Sequence, residues 1–292
     1  MEKVLLIVDG NSIACRGAFV PPVMTTSGGR ETGGTYRFFT MLDSAMKMVR
    51  ATHVVIGWDV GKANFRTGID ETYKANRDSS KSEGLYSQFE DIKSILTLIG
   101  IKHVGIPGYE ADDVLGTYAN ITEADKTYIF TGDKDSFQLI DDNTTVMFPL
   151  TGTSNMKFYT REAFETEYDI KVEQFAELKA LMGDGGDNVK GIEKCGQKTG
   201  IKLLKEYGSL DGVVENAGAI KGKIGENVRA WAPNASKTLE LVTIRRDVPV
   251  PYTFDDCEIQ LNWKAAREIF TDLEFYSFIK KLMKDGFYNG QG

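Results

Sequence analysis

The chain has 292 residues, 41% hydrophobic and 26% charged, with a formal charge of −7. That size and balance describe an ordinary globule able to bury a large core, and they exclude a disordered, fibrous or low-complexity chain. No apolar run is long enough for a membrane span or a signal-peptide core. Cys15, Cys195 and Cys257 have neither zinc spacing nor a disulfide framework, so a cytoplasmic setting is expected.

In chain order, the first predicted element is a buried strand at residues 3–8, short and β-branched. Phe39, Leu42, Met46 and Val49 then recur at helical spacing. A second strand follows at 53–58. Residues 61–84 are polar and weakly periodic. Leu85, Phe89, Ile92, Leu96 and Ile99 mark another helix, and 101–106 a weaker strand. Val114, Leu115 and Tyr118 continue the helical theme. A clear strand at 127–131 and a weaker one at 145–148 complete the alternation. Strand and helix in turn predict a mostly parallel sheet with helices on both faces, over residues 1–171. From Val172 the pattern is helical. Phe175, Leu178, Leu181 and Met182 share one face, and Ile201, Leu203, Leu204 and Tyr207 another. Residues 172–292 are therefore expected to form a second, mainly helical lobe.

The three clear strands each run into aspartate: Asp9 after the first, Asp59 after the second, Asp133 and Asp135 after the third. Ligands in open α/β sheets bind at the carboxyl ends of the strands. Glu110, Asp112 and Asp113 open the Val114 helix, and Asp184 and Asp187 follow the helix ending at Met182. Any one of these acids reads as a turn or helix-capping residue. Nine on one edge would repel each other unless cations neutralised them, and hard divalent ions with oxygen ligands do so. Two such ions about 3.5–4 Å apart can activate a water and stabilise a leaving oxygen. The only histidines, His53 and His103, fall at strand starts and are expected to be structural.

The ordered set Val8-Asp9-Gly10, Phe65-Arg66, Tyr73-Lys74-Ala75-Asn76-Arg77, Gly108-Tyr109-Glu110-Ala111-Asp112-Asp113, Thr131-Gly132-Asp133-Lys134-Asp135 and Gly183-Asp184-Gly185-Gly186-Asp187-Asn188 resembles the 5′-nuclease family. That family comprises the N-terminal nuclease domain of bacterial DNA polymerase I and the free-standing phage 5′-exonucleases. The resemblance runs on through Val189-Lys190-Gly191-Ile192 to Gly196-Gln197-Lys198-Thr199 and the 244–248 region, covering nearly the whole chain. With no polymerase domain following, it favours the free-standing type.

The resemblance implies a PIN-like nuclease core, a helical arch within about 61–100, and a helix–three-turn–helix element at about 183–207. It implies a structure-specific 5′-3′ exonuclease or flap endonuclease acting in DNA replication and repair. Such an enzyme hydrolyses DNA in line, with the 3′-oxygen leaving and 5′-phosphate products. Asp9, Asp59, Glu110, Asp112 and Asp113 resemble the inner metal group, and Asp133, Asp135, Asp184 and Asp187 the remainder of a site for two or three Mg²⁺ ions, with Mn²⁺ as a substitute. Tyr73, Lys74 and Arg77 match the arch. There Lys74 and Arg77 would offset charge on the scissile phosphate and Tyr73 would stack on a nucleobase. Arg16 and Arg66 are further phosphate-contact candidates.

Residues 190–205 carry Lys190, Lys194, Lys198, Lys202 and Lys205 against Glu193 alone. Gly191 and Gly196 allow tight turns, and amides near Thr199 at the next helix start suit a phosphate. By the resemblance this element grips duplex backbone without reading sequence, and its carbonyls hold K⁺. With the nine site acids set aside, 35 basic residues face 33 acidic ones, so the acidic total does not exclude DNA. The expected partner is DNA with a 5′ end, flap or single-to-double-strand junction, bound by a monomer. RNA primers on the same fold, and a branched-DNA binder without catalysis, are the rival readings. A P-loop is disfavoured because Gln197 separates Gly196 from Lys198 and a helical segment precedes the glycines. An aspartate-nucleophile phosphatase leaves Asp9, Asp59, Asp184 and Asp187 unexplained.

Overall fold

A computed structural model describes residues 2–18, 23–61, 64–76, 83–152 and 155–285. Strand β1 (Val4–Asp9) is buried along its whole length, as its unbroken apolar run requires of a strand covered on both faces. It pairs in parallel with β2 (His53–Gly57) on one side and β4 (Lys126–Phe130) on the other. Outside these lie β3 (Lys102–Val104), β5 (Thr144–Pro149) and an antiparallel edge strand, β6 (Met156–Tyr159). The sheet order is β3-β2-β1-β4-β5-β6. The chain steps outward from β1 to β3, then crosses back to β4, so the order reverses between β1 and β4 and opens a crevice at their carboxyl ends.

Side-chain alternation on β1 divides the core. Val4, Leu6 and Val8 face one layer, where α1 (Gly10–Ala18), α2 (Gly33–Val49) and α4 (Glu83–Ile99) pack. Leu5 and Ile7 face the other, with α5 (Ala111–Ala119). Short α3 (Asn64–Ile69) leads into the Asp70–Asn76 turns. Helices α6 (Arg161–Tyr168), α7 (Phe175–Met182), α8 (Gln197–Tyr207), α9 (Leu210–Glu215), α10 (Gly222–Trp231) and α11 (Ala235–Val242) extend the α5 layer, and their buried residues join its core. Between α7 and α8, a minimal ladder pairs β7 (Gly183–Asp184) with β8 (Val189–Lys190).

Two expectations change. The stretch assigned to an arch, 61–100, ends in core: Phe89, Ile92, Ile95, Leu96 and Ile99 of α4 are buried, because that helix carries an apolar face. The second lobe, expected as 172–292, also divides. Helices α12 (Trp263–Asp272) and α13 (Tyr276–Asp285) cross to the opposite sheet face, where Phe270, Phe275 and Phe278 pack among Tyr36, Phe38 and Phe39. Lys281 and Lys47 both reach the buried Asp43 carboxylate at 3.0 Å, pinning α13 to α2.

Candidate active site

The β1–β4 crevice gathers the strand-end acids. Asp9 is 5% exposed, its carboxylate accepting from the Ser12 amide at 2.9 Å and the Thr131 hydroxyl at 2.8 Å. Asp59 follows β2 and accepts from the Ala111 amide at 2.8 Å, which ties the start of α5 to the sheet edge. Asp133 caps the 3-10 turn Lys134–Leu139 by accepting from the Asp135 amide. Asp112 stands in the first turn of α5. These acids feel one another. The Asp9 carboxyl is pushed up to about 7 by burial, against its two hydrogen bonds and with help from Asp59 and Asp133. Burial, then Asp9, Asp133, Asp135 and Asp59, holds Asp112 well above the usual carboxylate range.

Lys179, on α7, was not anticipated. Its ammonium bridges Asp135 at 2.7 Å and Asp184 at 2.6 Å. Burial still takes Asp135 up to about 6, while at Asp184 the penalty of burial is outweighed by Lys179 and the carboxyl falls below its ordinary value. The sequence signal was present: one cation inside the otherwise apolar run around Leu178 and Leu181, five residues before Asp184.

Glu110 and Asp187 form the far side of the cleft. The Tyr73 hydroxyl donates to both, at 2.9 and 3.0 Å, and Lys74 pairs with both, lying 3.6 Å from Asp187. A narrow cleft joins Glu110, Asp112, Asp135, Asp184 and Asp187, floored by Val189 and Leu241. Eight of the nine expected acids thus border one edge, in two groups linked across this cleft.

Three assigned roles are corrected. Asp113 is fully buried and accepts two bonds from the Arg66 guanidinium, at 2.6 and 2.8 Å, plus the amides of Glu110 and Arg245. With its oxygens so engaged it orients the α5 start and has no capacity left for a metal. Arg66 is 3% exposed and also donates to the carbonyls of Leu241 and Thr243, so it is a buried clamp between lobes and not a phosphate contact. Tyr73 is 6% exposed, with its ring in the core and its hydroxyl on the acids, so it offers no face to a nucleobase. Arg77 lies outside the described residues. Arg16 is half-buried and donates to the Leu150 carbonyl.

The helix–three-turn–helix region is built on close backbone contact. A Cβ on Gly191 would lie 2.2 Å from the Gly183 amide nitrogen, so these glycines let the β7–β8 turn close beside Asp184. Gly196 is exposed and precedes α8. A groove of about 700 Å³ runs between α8 and α10, lined by Lys194, Lys198, Thr199, Lys202, Lys221 and Lys223. Among the described residues, Lys194, Lys198, Lys202 and Lys221 have no carboxylate within ion-pair distance, whereas Lys205 pairs with Asp169 outside the groove. Lys190, exposed on β8, lies instead beside Trp231 and Lys237. Lys221 and Lys223 were missed, although Ile220-Lys221-Gly222-Lys223 echoes Val189-Lys190-Gly191-Ile192.

Among the described residues no three His, Cys, Asp or Glu side chains close on one point as a finished metal cage. The donor set nonetheless fits hard cations. It is all carboxylate, burial aided by neighbouring carboxylates raises Asp9, Asp112 and Asp135, and Mg²⁺-type ions keep several waters and few direct ligands.

The fold is that of a metal-dependent nuclease built on a resolvase-like sheet. Residues 4–169 match the family model for the 5′-3′ exonuclease N-terminal resolvase-like domain, and residues 170–265 that for the 5′-3′ exonuclease C-terminal SAM fold. The chain belongs to the 5′-3′ exonuclease family. DNA polymerase I of Bacillus subtilis is 35% identical over 288 residues, covering 97% of this chain and 33% of that protein. DNA polymerase I of Lactococcus lactis subsp. cremoris is 36% identical over 293 residues, again with 97% and 33% covered. The chain therefore spans about a third of the length of these bacterial relatives. Bacteriophage T5 5′-exonuclease with bound zinc superposes with a TM-score of 0.70 at 21% identity, covering 99% of this chain and 100% of that one. The T5 flap endonuclease in a pseudo-enzyme–product complex with DNA and metal ions gives 0.69 at 20%, with the same coverage. At that identity the phage proteins are a likeness of fold.

Proposed function

We propose that the chain hydrolyses DNA phosphodiesters near 5′ ends, flaps and single-to-double-strand junctions, using Mg²⁺, with Mn²⁺ as a substitute. The observation that carries this reading is the carboxylate edge at the β1–β4 crevice, where Asp9, Asp112 and Asp135 are held above their ordinary range by burial and by neighbouring carboxylates. The proposed ligand groups are Asp9, Asp59, Asp112 and Asp133 on one side, and Asp135, Asp184, Asp187 and Glu110 on the other. Bound divalent ions would activate water and stabilise the leaving 3′-oxygen.

The protein's own residues do the rest. Ser12 and Thr131 fix the Asp9 carboxylate. Asp113 and Arg66 lock the α5 start that presents Glu110 and Asp112. Lys74, with φ of 56°, holds its ammonium among Glu110 and Asp187, next to the place a scissile phosphate would occupy. The lysine groove would take the duplex backbone without reading bases, with K⁺ held by carbonyls of the 183–207 segment. One copy suffices for this arrangement, and RNA in a primer strand is the second substrate to compare. The test is Asp9→Asn: flap cleavage should fall at least a thousandfold (roughly, for loss of a ligand-type interaction) while flap binding stays within a few-fold. Equal loss of both would sink the catalytic assignment.

A further inference from the structure

The turn that carries Asp184 and Asp187 is stitched to the Asp70–Asn76 turns that follow α3. The Lys74 amide donates to the Asp187 carbonyl at 2.9 Å. Asn188, on the turn, donates its side-chain amide to the Thr72 carbonyl at 2.8 Å. Asn76, at the end of the facing turns, returns the contact by donating to the Gly185 carbonyl at 2.9 Å. Two asparagines thus reach across in opposite directions on either side of one backbone hydrogen bond. Both Lys74 and Asn188 adopt left-handed backbone, with φ of 56° and 58°, a conformation uncommon outside glycine and held only where the surroundings impose it. Here each strained residue faces the other segment. A Lys237–Asp70 pair at 2.9 Å extends the seam toward α11.

We infer that Asn76 and Asn188 are positioning residues that join the Asp70–Asn76 turns and the Asp184–Asp187 turn into one unit, so that placement of the Lys74 ammonium and placement of Asp184 and Asp187 are coupled. The inference rests on the proposed role of those aspartates. Neither asparagine touches the carboxylate oxygens, because both donate to main-chain carbonyls. Their effect is exerted through backbone placement of Asp187 and Lys74, whose side chains meet in the cleft. A small displacement there is enough to slow a reaction that depends on orientation. The lysine groove shares none of the seam's residues, so duplex affinity should be separable from the coupling.

The experiment compares wild type, Asn188→Gly, Asn76→Ala and the double variant. Glycine at 188 keeps the left-handed backbone and removes only the side-chain bond. Three quantities are read: single-turnover cleavage of a 5′-flap duplex across a Mg²⁺ titration, flap affinity in EDTA, and hydrogen exchange of the Lys74 amide with and without Mg²⁺. Each single variant should cleave about ten- to a hundredfold more slowly, with a raised Mg²⁺ midpoint and flap affinity within twofold of wild type. The double variant should be no worse than the poorer single one, since both break the same unit. Mg²⁺ should protect the Lys74 amide in wild type and fail to do so in the variants. Unchanged rates and Mg²⁺ midpoints in folded variants would overturn the inference. So would affinity losses that match the rate losses, or fully additive effects. Failure of the wild type itself to cleave would instead overturn the function proposed above.

Discussion

The side chain that most directly governs the acid cluster is Lys179. Its ammonium lies between Asp135 and Asp184 with 15% of the side chain exposed, so the pair energies are little screened. Lys179→Met should destabilise the protein in EDTA by about 3 kcal/mol, as expected when one partner of a buried charge cluster is removed. Mg²⁺ should recover most of that loss, because the cation then replaces the missing ammonium. Thermal melts of both proteins with and without Mg²⁺ check this, and a melting difference indifferent to metal would contradict it. His53 gives a prediction of the opposite kind. Burial, assisted by Lys3 and opposed by Glu258 and Asp255, lowers its pKa below 6.5. A base with a lowered folded pKa is neutral in both states above 6.5. As pH falls below 6.5 the unfolded chain takes up the proton first, so stability is lost down to the folded pKa. Asp9 and Asp135, raised by burial, act with the reverse sign, so the histidine effect is read as a difference. Between pH 6.5 and 5, wild type should lose more stability than His53→Gln in urea titrations; parallel curves would show that His53 does not titrate as described.

Individual acids were legible in the sequence because aspartate at the end of an apolar strand has few neighbours to confuse it. Their partners were not. Nothing local to Asp113 says that Arg66, 47 residues earlier, will take both its oxygens, or that Tyr73 will turn its hydroxyl inward to Glu110 and Asp187. Those pairings arise from tertiary approach, and the resemblance that named these residues carried no burial information.

At the scale of elements, the helices opening on the groove matter most. Lys198 and Lys202 project from α8, and Lys221 and Lys223 flank the first residue of α10. Both walls are basic, so the proposed duplex would be held from two sides. Lys221→Gln with Lys223→Gln should weaken duplex binding at every sequence alike and reduce the slope of log affinity against log salt by about 1 per lysine engaged. Lys223 shares its charge with Glu226 at 2.9 Å, so Lys221 should carry the larger part. An unchanged slope, measured by fluorescence anisotropy across a salt series, would confine the duplex contact to α8. Strands β1, β2 and β4 were readable because each is a short apolar run bounded by polar residues. Strand β6, Met156–Tyr159, was not, since an edge strand buried on one side has no such run. The path of α12 and α13 was equally hidden. The choice of sheet face is made by Phe270, Phe275 and Phe278 meeting Phe39 and Tyr36, and by Lys281 meeting Asp43.

For the molecule as a whole, the sheet order explains why distant acids meet. Reversal of strand order beside β1 places the ends of β1 and β4 at one crevice, α5 brings Glu110 and Asp112 to it, and α7 with the β7–β8 turn closes it with Lys179, Asp184 and Asp187. The lysine groove stands apart on the helical lobe, so a chain of net charge −7 still carries a local basic surface suited to an anionic substrate. The central claim is that this cleft cuts DNA with divalent metal while the groove holds the duplex. Cleavage of an end-labelled 5′-flap duplex by the wild-type chain, with Mg²⁺ and with EDTA, tests it most directly. The account predicts short 5′-phosphorylated products that appear with Mg²⁺ and vanish with EDTA. Tight flap binding without cleavage under Mg²⁺ or Mn²⁺ would contradict it.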